Sequence, residues 1–256
     1  MTDTGQPTRS IFISGAASGI GLETARLFVK QGWRVALCDR DAVGIATLSE
    51  ELGDNAYSFP VDVLDSAGLA RAMEKFCATS GGQLDVLFNS AGILDMRRFD
   101  ETPLERLHAV LDVNIKGAIN AVHTALPYLK RARDARVITM SSVAAVYGVP
   151  DEAAYSASKF AVRGLTEALN IELEQQDIWV CDLMVAYVQT PMLTAASHVA
   201  TSVNVLGIHV LPTMVAAKVL EAVGGRQVHW FVTDADAQIS AQVGAMTADE
   251  RRAMMA

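Results

Sequence analysis

The sequence predicts a doubly wound α/β fold with a parallel sheet of seven strands. Short β-branched or apolar runs alternate with longer amphipathic segments along the chain, which is the order expected of right-handed βαβ units. Several of the short runs lack a polar residue at alternate positions, as is typical of strands covered on both faces. A length of 256 residues with 51% hydrophobic and 20% charged residues suits one folded domain.

The predicted strands occupy seven runs in order along the chain. These runs are 11–14, 34–39, 56–63, 84–89, 136–142, 179–184 and 228–232. Between them, Gly32 closes a helix that begins near Gly19, and Thr102-Pro103-x-Glu105 predicts a capping box at the start of another. Thr247 and Glu250 predict a second cap near the end of the sequence. Because no repeat or linker divides the chain, residues 1–256 are expected to form a single domain.

Composition argues against several partners. The chain has 21 Lys and Arg against 29 Asp and Glu, a net charge of −8, which repels nucleic acid and anionic membrane surfaces. No apolar run is long enough to span a membrane, and no targeting segment is evident. The three cysteines lie far apart without metal-ligand spacing. We therefore expect a cytoplasmic protein with no metal site, no nucleic-acid partner and no membrane partner.

A glycine-rich turn follows the first predicted strand. Gly15-Ala-Ala-Ser-Gly19-Ile-Gly21 leads directly into the helical segment LETARLFVK. Glycines let the backbone approach a pyrophosphate closely, and the following helix offers free N–H groups and its positive dipole end. The turn predicts a dinucleotide site formed by Gly15, Ser18, Gly19, Ile20 and Gly21. A simple strand-to-helix connection is the alternative interpretation.

Asp39 indicates which dinucleotide this site prefers. It ends the second predicted strand, eighteen residues after Gly21, where an acid accepts hydrogen bonds from the adenosine ribose and repels a 2′-phosphate. Arg40 follows, but Ser18 supplies no second cation for such a phosphate. NAD is therefore favoured over NADP. The alternative is that Asp39 caps the helix that follows it.

Ser142, Tyr155 and Lys159 are the candidates for catalysis. Ser142 lies at the carboxyl end of a predicted strand, where open α/β sheets bind ligands. Tyr155 and Lys159 are four residues apart and share a helix face. A nearby ammonium and an oxidised nicotinamide both favour the phenolate, and lowering a phenol pKa from about 10 to ~7 takes roughly 4 kcal/mol. Taken alone, such a pair is also common on ordinary helix surfaces.

Together these motifs resemble the short-chain dehydrogenase/reductase family over about residues 9–230. The resemblance rests on SGAASGIG (14–21), Asp39, Asp62-Val63, Asn89-Ser-Ala-Gly92, Asn114, Ser142, Tyr155-x-x-x-Lys159 and VQTPM (188–192). It implies a Rossmann fold in which one domain binds the dinucleotide and carries out catalysis. Val185-Ala186 stands where the family commonly has Pro-Gly, which changes the backbone restraints before the cofactor-contacting loop.

The resemblance also implies roles for the matching residues. Tyr155 would exchange a proton with the substrate oxygen, which Ser142 would hold by a hydrogen bond. Lys159 would bind the nicotinamide ribose and lower the pKa of Tyr155. Asn114 would help hold a water in the proton relay; its alternative role is to bend the helix. The implied cofactor contacts are Asp62 and Val63 at the adenine, Asn89, Ala91 and Gly92 at the adenosine pocket, and Val188 and Thr190 at the carboxamide.

The implied enzyme is an NAD(P)-dependent alcohol dehydrogenase or ketoreductase. Hydride would pass between NAD(H) and a carbinol carbon while the proton passes through Tyr155. Residues 188–217 resemble the family's substrate lid and contain no Lys or Arg, so this segment offers no clamp for an anionic substrate. We expect an uncharged, largely hydrophobic secondary alcohol or ketone. The apolar side chains of the lid serve equally well to pack it onto the core.

Two other functions remain open. The first is a 3-oxoacyl thioester reductase, in which an acidic carrier protein would dock on basic side chains, namely Lys130, Arg131, Arg133 and Arg136. The second is a non-catalytic dinucleotide-sensing protein, which is expected to lack part of the proton relay, whereas this sequence has all of it. By the same resemblance, helices 102–132 and 155–176 would pack against a twin subunit in a homodimer or homotetramer.

Overall fold

The computed structural model describes residues 8–194 and 198–255. Seven strands form one parallel sheet in the order β3-β2-β1-β4-β5-β6-β7. The strands are β1 (Ser10–Ser14), β2 (Arg34–Asp39), β3 (Ala56–Pro60), β4 (Val86–Asn89), β5 (Ala135–Met140), β6 (Ile178–Met184) and β7 (His229–Phe231). The predicted doubly wound Rossmann fold with seven parallel strands is confirmed.

Eleven α-helices are present in the described part of the chain. They are α1 (Gly19–Lys30), α2 (Ala42–Leu52), α3 (Ser66–Ala78), α4 (Leu104–Leu111), α5 (Gly117–Leu129), α6 (Ala153–Glu174), α7 (Pro191–Thr194), α8 (Thr201–Leu206), α9 (Pro212–Gly224), α10 (Asp234–Ala245) and α11 (Ala248–Met255). A π-helical turn, Asp112–Lys116, joins α4 to α5, and short 3-10 turns cover Phe99–Glu101 and Val143–Ala145.

Helices cover both faces of the sheet, which explains the apolar strand sequences. One core cluster joins β-strand side chains to Phe28 of α1, Ile45 of α2 and Val219 of α9. The cluster on the other face includes Phe76 of α3 and Leu129 of α5. Because both faces are covered, alternate strand positions on each side are apolar.

Two predicted helix caps have different outcomes. Thr102 does not cap α4: its hydroxyl donates to the carbonyl of Arg98 at 2.8 Å, and Pro103 occupies the cap position. The capping box predicted there is therefore wrong, because a closer carbonyl engages the threonine. Thr247 and Glu250 do form the predicted pair, with Thr247 N donating to a carboxyl oxygen of Glu250 at 2.7 Å and Glu250 N to the Thr247 hydroxyl at 3.3 Å.

The strand order locates the crevice of the fold. β1 lies between β2 and β4, so the chain changes direction across the sheet at β1. In open α/β sheets, ligands bind at the carboxyl ends of the strands beside such a point. Among the described residues, no helix is both long and apolar enough to cross a membrane.

Candidate active site

The loop between β1 and α1 is packed too closely for side chains at its glycines. Gly15 has a φ of +71°, and a Cβ there would lie 2.7 Å from the backbone of Ala91. A Cβ on Gly21 would lie 2.1 Å from the carbonyl oxygen of Gly15. The glycines therefore allow the loop to fold on itself and on the segment after β4. The start of α1 lines the crevice through Ser18, Gly19 and Ile20, where the free N–H groups of a helix can bind an anion.

Asp39 holds the glycine-rich loop against the end of β2. One carboxyl oxygen accepts a hydrogen bond from Ala17 N at 3.1 Å, and the other accepts from Asp41 N at 3.0 Å. The side chain that caps α2 is Asp41, which accepts from Gly44 N at 3.0 Å. The alternative reading of Asp39 as the helix cap is therefore wrong. Its carboxylate lies at the crevice, beside the loop.

The other predicted adenosine contacts follow β3 and β4. Asp62 closes its own turn by accepting from Leu64 N at 2.9 Å, and the carbonyl of Val63 accepts from the Asn120 side chain at 3.0 Å. After β4, Ala91 N donates to the Ser14 hydroxyl at 3.3 Å. These contacts fix the backbone on both sides of the glycine-rich loop. Asn89 itself is buried and donates to Thr139 at 3.3 Å.

Tyr155 and Lys159 lie one turn apart on α6, as their spacing predicts. The Lys159 ammonium lies 5.3 Å from the centre of the Tyr155 ring and donates to the carbonyl of Met140 at 2.8 Å. Ser142 follows β5, and its hydroxyl accepts from Ala144 N at 3.1 Å and donates to the carbonyl of Val185 at 3.3 Å. The structure thus brings all three side chains to the carboxyl end of β5.

The charge state of this group differs from the sequence-based expectation. Burial raises the pKa of Tyr155 above its ordinary value, and Glu152 adds to this effect, whereas the Ser142 hydroxyl opposes it. Burial also lowers the pKa of Lys159 to about 8, with Asp182 acting in the opposite direction. The polypeptide alone therefore favours a neutral phenol. A phenolate needs a further positive charge near the ring, such as an oxidised nicotinamide.

Asn114 lies in the π-helical turn between α4 and α5. Its amide nitrogen donates to the carbonyl of Ile93 and to the Ser158 hydroxyl, each at 3.0 Å, and its oxygen accepts from Ile93 N at 2.8 Å. These bonds tie the turn to α6 and to the segment after β4. The expected bending role and a site role are compatible here, because π-helical turns occur frequently at functional sites.

Hydrogen bonds replace the restraint that a Pro-Gly pair would give at Val185 and Ala186. The carbonyl of Val185 accepts from Val143 N at 3.2 Å as well as from Ser142. Ala186 N donates to the carboxylate of Asp236 at 3.1 Å. Asp236 is fixed in turn by a capping box with Thr233 at the start of α10. The backbone after β6 is therefore anchored from two sides.

One cleft of about 750 Å³ contains most of the predicted site. This volume falls in the range of small-molecule and cofactor sites. The predicted residues that line it are Gly15, Ser18, Gly19, Ile20, Asp39, Asp62, Val63, Ala91, Gly92, Ser142, Tyr155, Lys159, Val188 and Thr190. Gly21, Asn89 and Asn114 lie behind this lining, where they hold the loops that form it.

The residues present fit a dinucleotide. The two glycine contacts leave no room for Cβ atoms, so the loop exposes backbone rather than side chains. Asp39 ends β2, whereas Lys159 bonds to Met140 at the end of β5, three strands across the sheet, and both side chains line the cleft. A carboxylate at one end and an ammonium at the other match the hydroxyls of two riboses. The chain can therefore hold a nicotinamide dinucleotide along the carboxyl edge of the sheet.

The cleft also has lining residues that the sequence reading missed. They include Glu152, Tyr187, Ser202, Ile239, Met254 and Met255. Met254 and Met255 belong to α11, far from the other site residues in sequence, so no local pattern indicates their place. Glu152 offered a signal, since it is an acid three residues before Tyr155. It is almost completely buried, which raises its pKa to about 7.

Arg136 does not belong to the basic surface predicted to receive an acidic carrier protein. Its side chain is only 1% exposed and pairs with the carboxylate of Asp134 at 2.6 Å. It was expected to help receive an acidic carrier, but it is buried at the start of β5 and cannot form part of a docking surface. Lys130, Arg131 and Arg133 remain exposed at the end of α5.

Comparison with known proteins agrees with this geometry. A family model described as short chain dehydrogenase matches residues 9–200. The chain belongs to the short-chain dehydrogenase family. The match covers the strands from β1 to β6 and the residues that bring Tyr155 and Lys159 together. The protein is therefore an oxidoreductase of this family.

Relatives and solved structures show the same family. Oxidoreductase UcpA from Salmonella typhimurium is 35% identical over 188 residues, covering 72% of this chain and 71% of that protein. A 3-oxoacyl-[acyl-carrier-protein] reductase, FabG, from Thermotoga maritima is 33% identical over 183 residues, covering 70% and 74%. The crystal structure of 3-ketoacyl-(acyl-carrier-protein) reductase from Brucella melitensis complexed with NADH has a TM-score of 0.79 at 25% identity, covering 88% of this chain and 96% of that one.

Proposed function

We propose that this protein transfers hydride between NAD(H) and an uncharged, largely hydrophobic secondary alcohol or its ketone, with Tyr155 as the general acid and base. One observation carries the proposal: Tyr155, Lys159 and Ser142 meet in the cleft that also contains the glycine-rich loop and Asp39. A scaffold that only senses the dinucleotide has no need for this group of side chains.

The proton steps follow from the side chains. In the reductive direction, the neutral Tyr155 hydroxyl donates its proton to the substrate oxygen, and in the oxidative direction the phenolate accepts it. The Ser142 hydroxyl is positioned to hold the same oxygen by a hydrogen bond. Lys159 stabilises negative charge on Tyr155 from 5.3 Å above the ring. When bound, a nicotinamide cofactor supplies the hydride acceptor or donor.

Asn114 supports this proton path in the proposal. Its side chain makes three hydrogen bonds to protein groups, so most of its donor and acceptor capacity is used internally. A water in the relay would donate to the Asn114 side-chain oxygen, which accepts only one hydrogen bond from the protein. The connection from Asn114 through Ser158 to the carbonyl of Tyr155 joins the turn to the catalytic helix.

Asp39 supports NAD rather than NADP. Its carboxylate lies at the crevice and is fixed by two backbone N–H groups, so it cannot swing away without breaking both bonds. A 2′-phosphate would meet this negative charge at short range. The neighbouring Arg40 is the one cation that lines this end of the cleft in the described part of the chain.

The lid supports an apolar substrate. We propose that residues 188–217 form it. α7, α8 and a parallel bridge between Val188 and Val210 lie in this segment. The side chains that it contributes to the cleft include Met192, Leu193, Val205 and Leu206. No Lys or Arg occurs between 188 and 217, so the lid supplies no permanently charged cation for a carboxylate or phosphate.

Replacing Tyr155 tests the proposed function. Tyr155→Phe keeps the ring and removes the hydroxyl, so we expect NADH binding to persist and turnover to fall by about 10²-fold or more. The assay follows NADH formation with a panel of apolar secondary alcohols, with NADP in parallel and NADH binding measured by fluorescence. Unchanged turnover in the variant would refute the role of Tyr155. Clearly faster turnover with NADP would refute the role given to Asp39.

A 3-oxoacyl thioester reductase is the second candidate. The two reductases named above share the fold and act on such substrates according to their names. In this chain Lys130, Arg131 and Arg133 form an exposed basic group beyond the end of α5. A carrier-linked 3-oxoacyl substrate assayed beside the free ketones decides between the two. Preference for the carrier-linked form would favour the thioester reductase.

We also propose a homodimer or homotetramer through residues 102–132 and 155–176. Four large apolar side chains are exposed on these helices: Leu104, Ile119, Phe160 and Ile171. Ala161, Gly164 and Ala168 on α6 are exposed as well, and small residues allow another surface to approach closely. Sedimentation analysis of the wild type and of Phe160→Glu tests this proposal. A monomeric wild type would refute it.

A further inference from the structure

A polar cluster interrupts the apolar part of the cleft. It consists of Glu152 just before α6, Tyr187 after β6 and Ser202 in α8, all of which line the cleft. The Tyr187 hydroxyl lies 2.8 Å from a carboxyl oxygen of Glu152 and 2.7 Å from the Ser202 hydroxyl. The cluster therefore connects the start of the catalytic helix to the lid.

The hydrogen bonds of this cluster run from Ser202 through Tyr187 to Glu152. Each hydroxyl has one proton to donate, and an ionised carboxylate only accepts. Tyr187 donates to Glu152, so Ser202 donates to Tyr187. The chain of bonds ends on the carboxylate, which has about four acceptor positions on its two oxygens. Within residues 8–194 and 198–255, Tyr187 is the one side chain that donates to it.

The burial of the Glu152 carboxyl lowers the stability of the folded protein. It is 1% exposed, and no Lys, Arg or His in the described ranges forms an ion pair with it. Burial raises its pKa to about 7, while the bond from Tyr187 acts in the opposite direction and Asp151 adds to the rise. A buried carboxyl without a counter-ion destabilises a fold, and such a group in a cleft is a candidate for ligand binding. The unused acceptor capacity is therefore a feature to explain by binding.

We propose that Glu152 is a specificity-determining residue that accepts a hydrogen bond from a hydroxyl on the substrate, remote from the reacting carbon. The inference rests on the proposed ketone reduction and narrows its substrate class to an uncharged, apolar hydroxyketone or the corresponding diol. Glu152 lies three residues before Tyr155, and its charge acts on that ring. Both residues line the same cleft, so a substrate whose oxygen contacts Tyr155 can extend along the cleft to Glu152.

The chemistry favours a hydroxyl over an ammonium. A carboxyl with a pKa of about 7 is present in both charge states near neutral pH. A hydroxyl donates to the carboxylate and accepts from the neutral acid, so it fits both states. An ammonium would favour the ionised carboxyl, but it would have to leave water as a charged group to reach this buried site, which costs more than burying a neutral hydroxyl. The Tyr187 hydroxyl is likewise able to bond either form of Glu152.

The test compares three ketones that share one carbon chain. They are a methyl ketone, the same ketone with a terminal hydroxyl, and the methyl ether of that hydroxyketone, which accepts hydrogen bonds but does not donate them. We expect kcat/KM for the hydroxyketone to exceed the other two by about tenfold or more, as for a hydrogen bond to a charged group. The difference should lie mainly in KM.

Glu152→Gln replaces the unpaired carboxyl oxygen, which accepts hydrogen bonds, by an amide nitrogen, which donates them, and it hardly changes the shape of the side chain. The amide oxygen accepts from Tyr187, and the amide nitrogen then offers a donor to the cleft. We expect the hydroxyketone and the ether to become equivalent within about twofold, because both oxygens can accept that bond. Asp151→Asn is the matched control, since it removes a charge one residue away, and it should retain the preference for the hydroxyl.

The outcomes separate this inference from the proposed function. Equal kcat/KM for all three ketones in the active wild type would overturn the role of Glu152 and leave ketone reduction intact. If no ketone turns over, calorimetric titration of the hydroxyketone into the NADH complex still decides. A binding preference that is lost in Glu152→Gln supports the site. A preference that the variant retains overturns it. A terminal amino ketone that outperforms the hydroxyketone, with that advantage lost in Glu152→Gln, would overturn the assignment of a hydroxyl.

Discussion

Replacing Lys159 by methionine should stabilise the cofactor-free protein while it destroys activity. Lys159 is 6% exposed, and its burial lowers the pKa from 10.5 to about 8. The unfolded chain therefore binds its proton more tightly than the folded chain does. Below pH 8 the buried ammonium opposes folding, and this penalty disappears as the pH rises from about 8 to 10.5. Methionine has a similar length and carries no charge.

The size of the effect follows from two opposing contributions. The interval between the two pKa values corresponds to roughly 3 kcal/mol of destabilisation at pH 7. The ammonium also donates to the carbonyl of Met140 at 2.8 Å, and loss of this bond costs about 1–2 kcal/mol. The free energy of unfolding of Lys159→Met should therefore exceed that of the wild type by about 1–2 kcal/mol at pH 7.

Urea unfolding of the cofactor-free proteins at fixed concentration tests this reasoning. Measurements at pH 7, 8, 9 and 10 should show the advantage of Lys159→Met shrinking steadily, since the wild type gains stability over this range. Lys130→Met removes an exposed lysine and should change stability by less than about 0.5 kcal/mol at each pH. A variant less stable than the wild type at pH 7, by an amount independent of pH, would refute the argument.

Two further predictions concern the glycine-rich loop and β7. Gly21→Ala places a Cβ 2.1 Å from the Gly15 carbonyl, so we expect the Kd for NADH to rise about tenfold or more. The control is Gly244→Ala, whose added Cβ has no atom near it. This variant should bind NADH normally in the same fluorescence titration. His229→Gln should lower the free energy of unfolding by about 2 kcal/mol at pH 6, because the bond from His229 to Asp182 raises the pKa of His229 above 6.5. That contribution is complete below pH 6.5 and fades as the pH rises through the folded-state pKa of His229. If His229→Gln lost the same free energy of unfolding at pH 6 and at pH 9, the prediction would be contradicted.

The fold was predictable because its signals are local. Each strand is a short apolar run, and β2 begins and ends where the sequence places it, at Arg34 and Asp39. Boundaries that depend on competing contacts were less accurate. β3 ends at Pro60 rather than at residue 63, and Thr102 bonds to a carbonyl instead of capping α4. At Thr102 a nearby carbonyl decides the outcome, and after β3 the Asp62 side chain closes a turn by accepting from Leu64 N at 2.9 Å.

The candidate site was predictable where spacing fixes geometry. Four residues on a helix put Tyr155 and Lys159 on one face, and the end of a parallel strand puts Ser142 beside them. Burial was not predictable in the same way. Arg136 reads as a surface cation but is covered and paired with Asp134. Glu152 belongs to none of the recognised motifs, yet it lies inside the cleft.

The sequence by itself determined the order of strands and helices, the glycine-rich loop and the catalytic pair, because each depends on residues close together in the chain. The tertiary structure alone decided which distant side chains share the cleft. Glu152, Tyr187 and Ser202 come from three separate segments, and Met255 comes from a fourth. It also decided their charge states, since the pKa of Tyr155 and of Lys159 depends on how much water the surrounding chain excludes.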